Sequence, residues 1–510
     1  MQNSDAPLLA LSLGSPYPSS LECFLDFQRL TRAALLQLLQ VAHAEGWAST
    51  TVAPATTTVA EIKITITARL AVTATQRHMV PALAAAKRLG LSNAAMDALW
   101  LLAHIDSDPA CAALVAALHP ASVAECSVAV LQRLVTMCSG APLTSTDLTR
   151  LDVLALVEIT ETPGLSEARR GIRVTDRVLD LLRGELTLDI HTASIATLQF
   201  ANPFSAGPAL PAAMAAAFAS EPAPMIVAYG PRGSGRSETL LALAARRTTP
   251  VLRIRSTALP TLAGPLRTAL RAVLREGLIL EALPMFENVD EVAEATLPHA
   301  VGHALAQFRG VVLMTAQAPL AGAMGDGANL RPMVEFAITL PDEPARIALW
   351  RAALPGADAA LIAVCGARYN VTPAVIAAVG RAVLAKLDGE AGVATLAHVR
   401  DAMRSWFDRT LAGVATRIDV RQTWDDLVLP ADQLEKIAEL VSRRQHRQHV
   451  LEDWGFAAKI GKGFGIAALF SGPPGTGKTM VAGLIARELE LDVYQVDLSK
   501  LVSKYIGETE

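Results

Sequence analysis

The sequence predicts an α/β protein, with parallel sheets flanked by helices and a mostly helical region ahead of them. Three observations carry that expectation. Apolar residues make up 52% of the 510 and charged residues 18%, with the apolar excess mostly in Ala, Leu and Val. From Met225 short apolar runs alternate with helical stretches, the pattern of strands joined by crossover helices. A glycine-rich strand–loop–helix motif also occurs twice, 242 residues apart.

The same figures exclude several classes. The length suits roughly three domains, and the apolar content excludes a disordered chain. Lys+Arg 45 against Asp+Glu 49 gives a net charge of −4, so a nucleic-acid binder working through a basic face is not expected. The five cysteines form no CxxC pair, which points to a reducing compartment without disulfides or a zinc knuckle. Met1 to Ser20 holds no Lys or Arg, unlike a secretory signal. No stretch of 18 uninterrupted apolar residues exists for a membrane span. The expectation is a soluble cytoplasmic protein with no membrane partner.

Five segments follow from the texture: an N-terminal region (1–84), a winged-helix-like domain (85–200), a linker with a short helix (201–224), a first nucleotide-binding module (225–415) and a second (416–510). Glu61 to Thr67 alternates polar and apolar and predicts a strand. Leu89 to Leu118 reads as two helices broken near Asp108-Pro109. Val153 to Thr160 reads as a strand, followed by a helix capped by Thr175 and stopped by Gly184. Residues 1–200 carry 14 basic and 18 acidic side chains, which argues against DNA contact by the winged-helix-like part.

The strongest signal is Gly472-Pro473-Pro474-Gly475-Thr476-Gly477-Lys478-Thr479, which fills G-x-x-x-x-G-K-[ST]. An apolar run, Ile466 to Phe470, precedes it as an expected strand, and a helix from Thr479 to Leu489 follows. Glycines let the backbone wrap phosphates with its N–H groups pointing inward, and the helix N-terminus adds a favourable dipole. Lys478 supplies a positive charge for the β- and γ-phosphates of ATP, and the Thr479 hydroxyl a ligand for Mg2+.

The earlier copy is Gly230-Pro231-Arg232-Gly233-Ser234-Gly235-Arg236-Ser237, and the alignment continues without a gap through the next helix and strand. It is altered where chemistry would sit. Arg236 replaces the lysine, and a guanidinium does not substitute for a point-charge ammonium in a tight cradle. Leu283 to Asn288 is the expected acidic strand, with Glu287 in the metal-holding position and Asn288 where a base would stand. Little or no hydrolysis is expected there.

The second module resembles AAA ATPases of the group that includes proteasomal ATPases, katanin-type severing enzymes and tandem-ring unfoldases. Thr423-Trp424-Asp425-Asp426-Leu427, the helix Gln433 to Ser442, the loop Gly472–Thr479 and Ser503 to Glu510 carry the resemblance. It implies a P-loop NTPase (AAA+) fold, Asp426 beside the adenine edge, and a substrate-gripping pore loop at Tyr505, Ile506 and Gly507. Val428 departs from the family's glycine. The whole arrangement is similar to bacterial tandem AAA proteins with an N-terminal winged-helix region and a degenerate first domain, in which Arg331 matches one arginine finger and Val334 replaces the other. Ring assembly with further copies of the chain is implied, because such fingers act across subunits. Glu287 lies 51 residues after Arg236 while only 32 residues follow Lys478, so the chain is expected to be a fragment ending before the second module's own acidic strand.

Other signals are assigned bland roles. The basic run Ser442 to His449 is read as a solvated helix face, and His104, Asp106 and Asp108 as turn and cap residues. Thr50 to Thr58 is read as a loop and Cys365 as core. The functional expectation is ATP hydrolysis coupled to remodelling or unfolding of protein clients. The rival is a nucleotide-switched scaffold that threads nothing. A third reading, a DNA-loading ATPase, conflicts with the acidic balance.

Overall fold

The computed structural model describes residues 15–53, 57–75, 80–118, 125–160, 164, 166–200, 210–291, 308, 310–320, 332–387, 393–412, 415–419, 421–446 and 467–496. They form two compact units, dividing at Thr339/Leu340.

Ser19 accepts the Glu22 amide and opens α1 (Ser20–Ala44), whose Phe24, Phe27, Leu30, Leu35 and Leu38 recur at helical spacing and are buried. The alternating stretch 61–67 is not a strand but part of α2 (Val59–Thr75). The longer pattern decides it: Ile66, Arg69 and Thr73, three and four apart, are all buried. Hydroxyls of Thr65, Thr67 and Thr73 each bond the carbonyl four residues back, so the β-branched run is satisfied inside a helix. Arg69 fixes α2 to α1 through Asp26 at 2.7 Å and Glu22 at 2.9 Å.

Next come α3 (Pro81–Leu89), α4 (Asn93–Ser107) and α5 (Pro109–Leu118). The break falls where Asp108-Pro109 predicts it, with the Asp108 carboxylate accepting the Ala110 amide. Buried Trp100 of α4 stacks on Phe27 with ring centroids 4.3 Å apart. His104 is fully buried edge-on to Phe24, and burial pushes its pKa down to about 4. It is a core residue rather than a turn residue. Asp106, pushed up to about 6 by burial, accepts the Val174 amide.

Then α6 (Val128–Ser139) and α7 (Ser145–Val153) lead into an antiparallel hairpin of β1 (Val157–Ile159) and β2 (Ile172–Val174), and into α8 (Asp176–Arg183). Thr175 precedes α8 as expected, but its side chain makes no capping bond to that helix. One hydrophobic core runs from Tyr17 to Leu182, and α1 packs on α4, α5 and α6. The expected division at 84/85 therefore does not coincide with a break in packing.

After α9 (Ile190–Ala193), β3 (Ala196–Gln199) and α10 (Ala212–Phe218) come β4 (Met225–Tyr229), α11 (Arg236–Ala245), β5 (Val251–Arg255), α12 (Ala263–Ile279), β6 (Leu283–Glu287), β7 (Val312–Ala316) and β8 (Met333–Ala337). The sheet order is β3-β5-β6-β7-β4-β8. Only β3 runs antiparallel to its neighbour. Both faces are covered, which is why the strands read as near-continuous apolar runs. Met225, Val227, Leu252, Ile254 and Phe286 join Leu266 and Leu270 of α12 on one face. Ile226, Ala228 and Met285 join Leu240 and Leu243 of α11 and Phe218 of α10 on the other.

A buried charge network ties this sheet layer to the helical core. Arg177 of α8 donates to both Glu276 carboxylate oxygens at 3.0 Å, and Arg275 adds bonds to Glu276, Asp189 and the Ala155 carbonyl. Arg177 is 2% exposed and Glu276 0%. Beside them Ile279 packs into the helical core.

The second unit starts earlier than the expected 416. It contains α13 (Glu343–Ala353), α14 (Ala359–Arg368), α15 (Pro373–Leu387) and α16 (Leu396–Thr410), packed around Trp350, Ile362, Cys365, Val379 and Val399. Cys365 is core, as expected. Next are β9 (Ala415–Ile418), α17 (Ala431–Gln445), α18 (Lys478–Glu488) and β10 (Val493–Val496). β9 and β10 pair antiparallel, and Ile437 and Val441 of α17 meet Val481 and Ile485 of α18. Arg368–Glu490, Arg404–Asp492 and Tyr494–Asp408 contacts place α14 and α16 in the same unit as α18. Of the expected strand at 466–470, residues 467–470 pair with no strand among the described residues, and Leu469 is 94% exposed. A lone apolar run has no ladder partner beside it among the described residues, and strands form only in pairs. Among the described residues no single helix is long and apolar enough to cross a membrane.

Candidate phosphate-binding loops

Each glycine-rich segment turns through the same backbone path. Gly230, Gly233 and Gly235 have φ of 153°, 77° and 99°; Gly472, Gly475 and Gly477 have 158°, 82° and 81°. The last glycine of each triplet caps its helix in the left-handed conformation, so α11 and α18 begin at Arg236 and Lys478, the matching positions. Both loops thus aim a helix N-terminus, with its unsatisfied amides, at the same relative place.

In the second loop the lysine is folded onto its own backbone. Lys478 Nζ donates to the Gly472 carbonyl at 2.9 Å and the Pro473 carbonyl at 2.6 Å, and Thr476 Oγ1 donates to the Pro473 carbonyl at 2.9 Å. Residues 471–476, including Pro474, are exposed. Lys478 and Thr479 open α18 beside this loop, so an incoming phosphate would replace the two carbonyls as partners of the ammonium. These groups fit Mg-ATP: an ammonium for phosphate and a hydroxyl for the metal.

Asp426 lies in the short helical turn Trp424–Asp426. Its carboxylate closes a capping box with Thr423, accepting both the Thr423 amide and hydroxyl, and those bonds hold its pKa below the usual carboxylate range. Trp424 and Gln422 bond to Glu488 and Arg487, in the last turn of α18. The segment leading to Asp426 therefore meets α18 at the end opposite the loop. Tyr505, Ile506, Gly507 and Arg331 lie outside the described residues, as does His449 of the basic run. His446 bonds the Ser442 carbonyl one turn back. Among the described residues no three His, Cys, Asp or Glu side chains cluster as metal ligands.

The first loop is closed by side chains. Arg236, 6% exposed, donates from Nη2 to Asn288 Oδ1 at 3.0 Å. Ser237 Oγ donates to Glu287 Oε1 at 2.8 Å, and Arg253 Nη2 reaches the same oxygen at 2.6 Å. Arg253 is held from behind by Gln199 at 3.0 Å. Asn288 sits at φ 54° with its amide bonded to Thr315 Oγ1 at 2.9 Å. On the rim Arg232 pairs with Glu291 at 2.9 Å. Burial holds the Arg236 guanidinium below its ordinary pKa, opposed by Asp290 and Glu291. Sequence reasoning found Glu287 and Asn288 but missed Arg253. The arginine inside the apolar run Val251 to Ile254 was the available signal, since a charge in a covered strand needs a partner.

Residues 468–510 match the family described as "ATPase family associated with various cellular activities (AAA)". That match is confined to the C-terminal end of the chain. An uncharacterized AAA family ATPase y4kL of Sinorhizobium fredii is 35% identical over 107 residues, 20% of this chain and 29% of that protein. The peroxisomal ATPase PEX6 of Dictyostelium discoideum is 39% identical over 88 residues, 17% of this chain and 7% of PEX6. The chain spans less than a third of the length of these curated relatives. A solved structure titled "Structural Basis for Katanin Self-Assembly" shares 16% identity at a TM-score of 0.30, over 36% of this chain and 71% of that one. That likeness is too slight to bear on the fold.

Proposed function

We propose that the protein binds Mg-ATP at Gly472–Thr479 and couples its hydrolysis to the remodelling of protein clients. The observation that carries this reading is the second loop itself: three left-handed glycines, Lys478 and Thr479 in place, and an exposed cradle inside AAA-family sequence. Lys478 would meet the β- and γ-phosphates and Thr479 would hold Mg2+, whose bound charge offsets that of the phosphates. Tyr505 and Ile506 would grip a client polypeptide, with copies of the chain in a ring. The helix–helix–hairpin–helix run from α6 to α8 would serve as a winged-helix-like recruiting element. All five cysteines are buried free thiols, in keeping with a reducing, cytoplasmic setting.

The test is steady-state ATP turnover of the protein beside Lys478→Ala and Arg236→Ala. Loss in the first with little change in the second supports the reading; turnover independent of Lys478 removes it. The side-chain closure of the first loop favours a second reading for half of the molecule, a nucleotide-switched scaffold. Tyr505→Ala separates the two: a motor loses client remodelling while keeping ATP binding, and a scaffold is indifferent.

A further inference from the structure

We infer that the Gly230–Ser237 loop takes the polyphosphate chain of a nucleotide without a divalent cation. Three observations converge. The loop has the same glycine conformations as Gly472–Thr479 and sits at the N-terminus of the ten-residue α11, so its amides can meet phosphate oxygens in the same way.

Two polar side-chain atoms in it lack partners. Ser234 Oγ and Arg236 Nη1 are buried without a hydrogen bond among the described residues, and each residue is 6% exposed. A buried donor left unpaired is costly, and a phosphate oxygen would satisfy both. Arg236 would then hold a phosphate through Nη1 while Nη2 keeps its bond to Asn288.

The third observation concerns the metal. The group that would face Mg2+, Glu287, is already paired with Arg253. The hydroxyl that would ligate it, Ser237 Oγ, donates to that same carboxylate, and Asn288 brings no charge. These residues do not fit a magnesium ion: the Arg253 guanidinium stands as the local cation. This differs from the Mg-ATP chemistry proposed for the second loop. It rests on the first loop alone, so turnover at the second neither supports nor damages it.

The experiment is calorimetric titration of ATP into the Lys478→Ala chain, once in EDTA and once in Mg2+. Affinity in EDTA within about threefold of that in Mg2+ is the expected result. Binding that appears only with Mg2+, or no binding in either buffer, overturns the inference. Arg236→Ala in the same background should weaken binding by at least about tenfold, roughly one charge-assisted contact. Arg253→Gln should do something a structural role would not: it frees Glu287, so ATP affinity becomes magnesium-dependent. Tripolyphosphate should compete with ATP; if it does not while ATP binds, recognition of the phosphate chain is wrong.

Discussion

A Cβ added at Gly230 would lie 2.1 Å from the Ile338 carbonyl, whereas one added at the matching Gly472 would meet nothing nearer than Thr476 Oγ1 at 3.2 Å. The glycines of the two loops share similar φ values, yet an added Cβ meets backbone at the first and only a hydroxyl among the described residues at the second. Loop shape is local, set by glycine φ values and the helix that follows. At the first loop, chemistry is set by what the sheet brings alongside: Glu287, Asn288 and Arg253. A P-loop pattern read alone therefore reports geometry, and the neighbours decide whether it cradles, hydrolyses or stays closed.

The comparison can be broken in four ways. The largest effect should be on turnover. Lys478→Ala is expected to lower ATP hydrolysis by roughly a hundredfold or more, the scale of losing a key charge-stabilising group, with Arg236→Ala within about twofold of the parent. Next is stability. Gly230→Ala forces a backbone clash and should cost about 2–3 kcal/mol by denaturant unfolding. Gly472→Ala avoids that clash and should cost less, about 1–2 kcal/mol from backbone strain alone. Equal costs would mean the two surroundings do not differ as described.

Third, Glu287→Gln weakens the bond to Arg253 and should destabilise the first unit by about 1–2 kcal/mol, the range for a partly buried pair losing its charge. Arg253→Gln, Glu287→Gln and the double variant form a cycle; a coupling energy near zero would deny the pairing. The smallest effect is on amide exchange. Mg-ATP should slow exchange at 472–479 by more than at 230–237, because Ser234 and Arg236 of the earlier loop are already buried.

A separate titration tests the helical core. His104 binds its proton less readily folded (about 4) than unfolded (6.5), so its contribution to stability is lost as pH falls from about 6.5 to 4. Asp106 binds its proton more readily folded (about 6) than unfolded (3.8), so its contribution is lost as pH rises over nearly the same window. The two oppose, so their combined contribution should change little between pH 4 and 6. His104→Phe should leave the Asp106 slope exposed, with melting temperature falling as pH rises through that range.

Much of the fold is legible because it depends on short-range pattern. β4, β5, β6 and β7 are apolar runs covered on both faces, and each lies where the alternation of strands and helices predicts it. The break at Asp108-Pro109 and the stop at Gly184 follow from single residues. What was missed depends on partners. Glu61 to Thr67 fits both periods over seven residues, and only the packing of Arg69 and Thr73 on α1 resolves it. Residues 467–470 have strand composition but no ladder. Arg253 is invisible as part of a site until β5 and β6 lie side by side. The division at Thr339/Leu340 is set by long-range contacts, with no change in composition to announce it.

The Arg177–Glu276 pair has a practical corollary for anyone dissecting this molecule. A truncation at residue 224, where composition suggests a linker, would strip Arg177, Asp189 and the Ala155 carbonyl from α12. Glu276 and Arg275 would be left on a surface that also carries Leu278, Ile279 and Leu280. Such a product would expose apolar area beside charges that evolved for the interior, an invitation to aggregate during expression. A cut at 339/340 leaves that network whole, and soluble yield from the two truncations should differ accordingly.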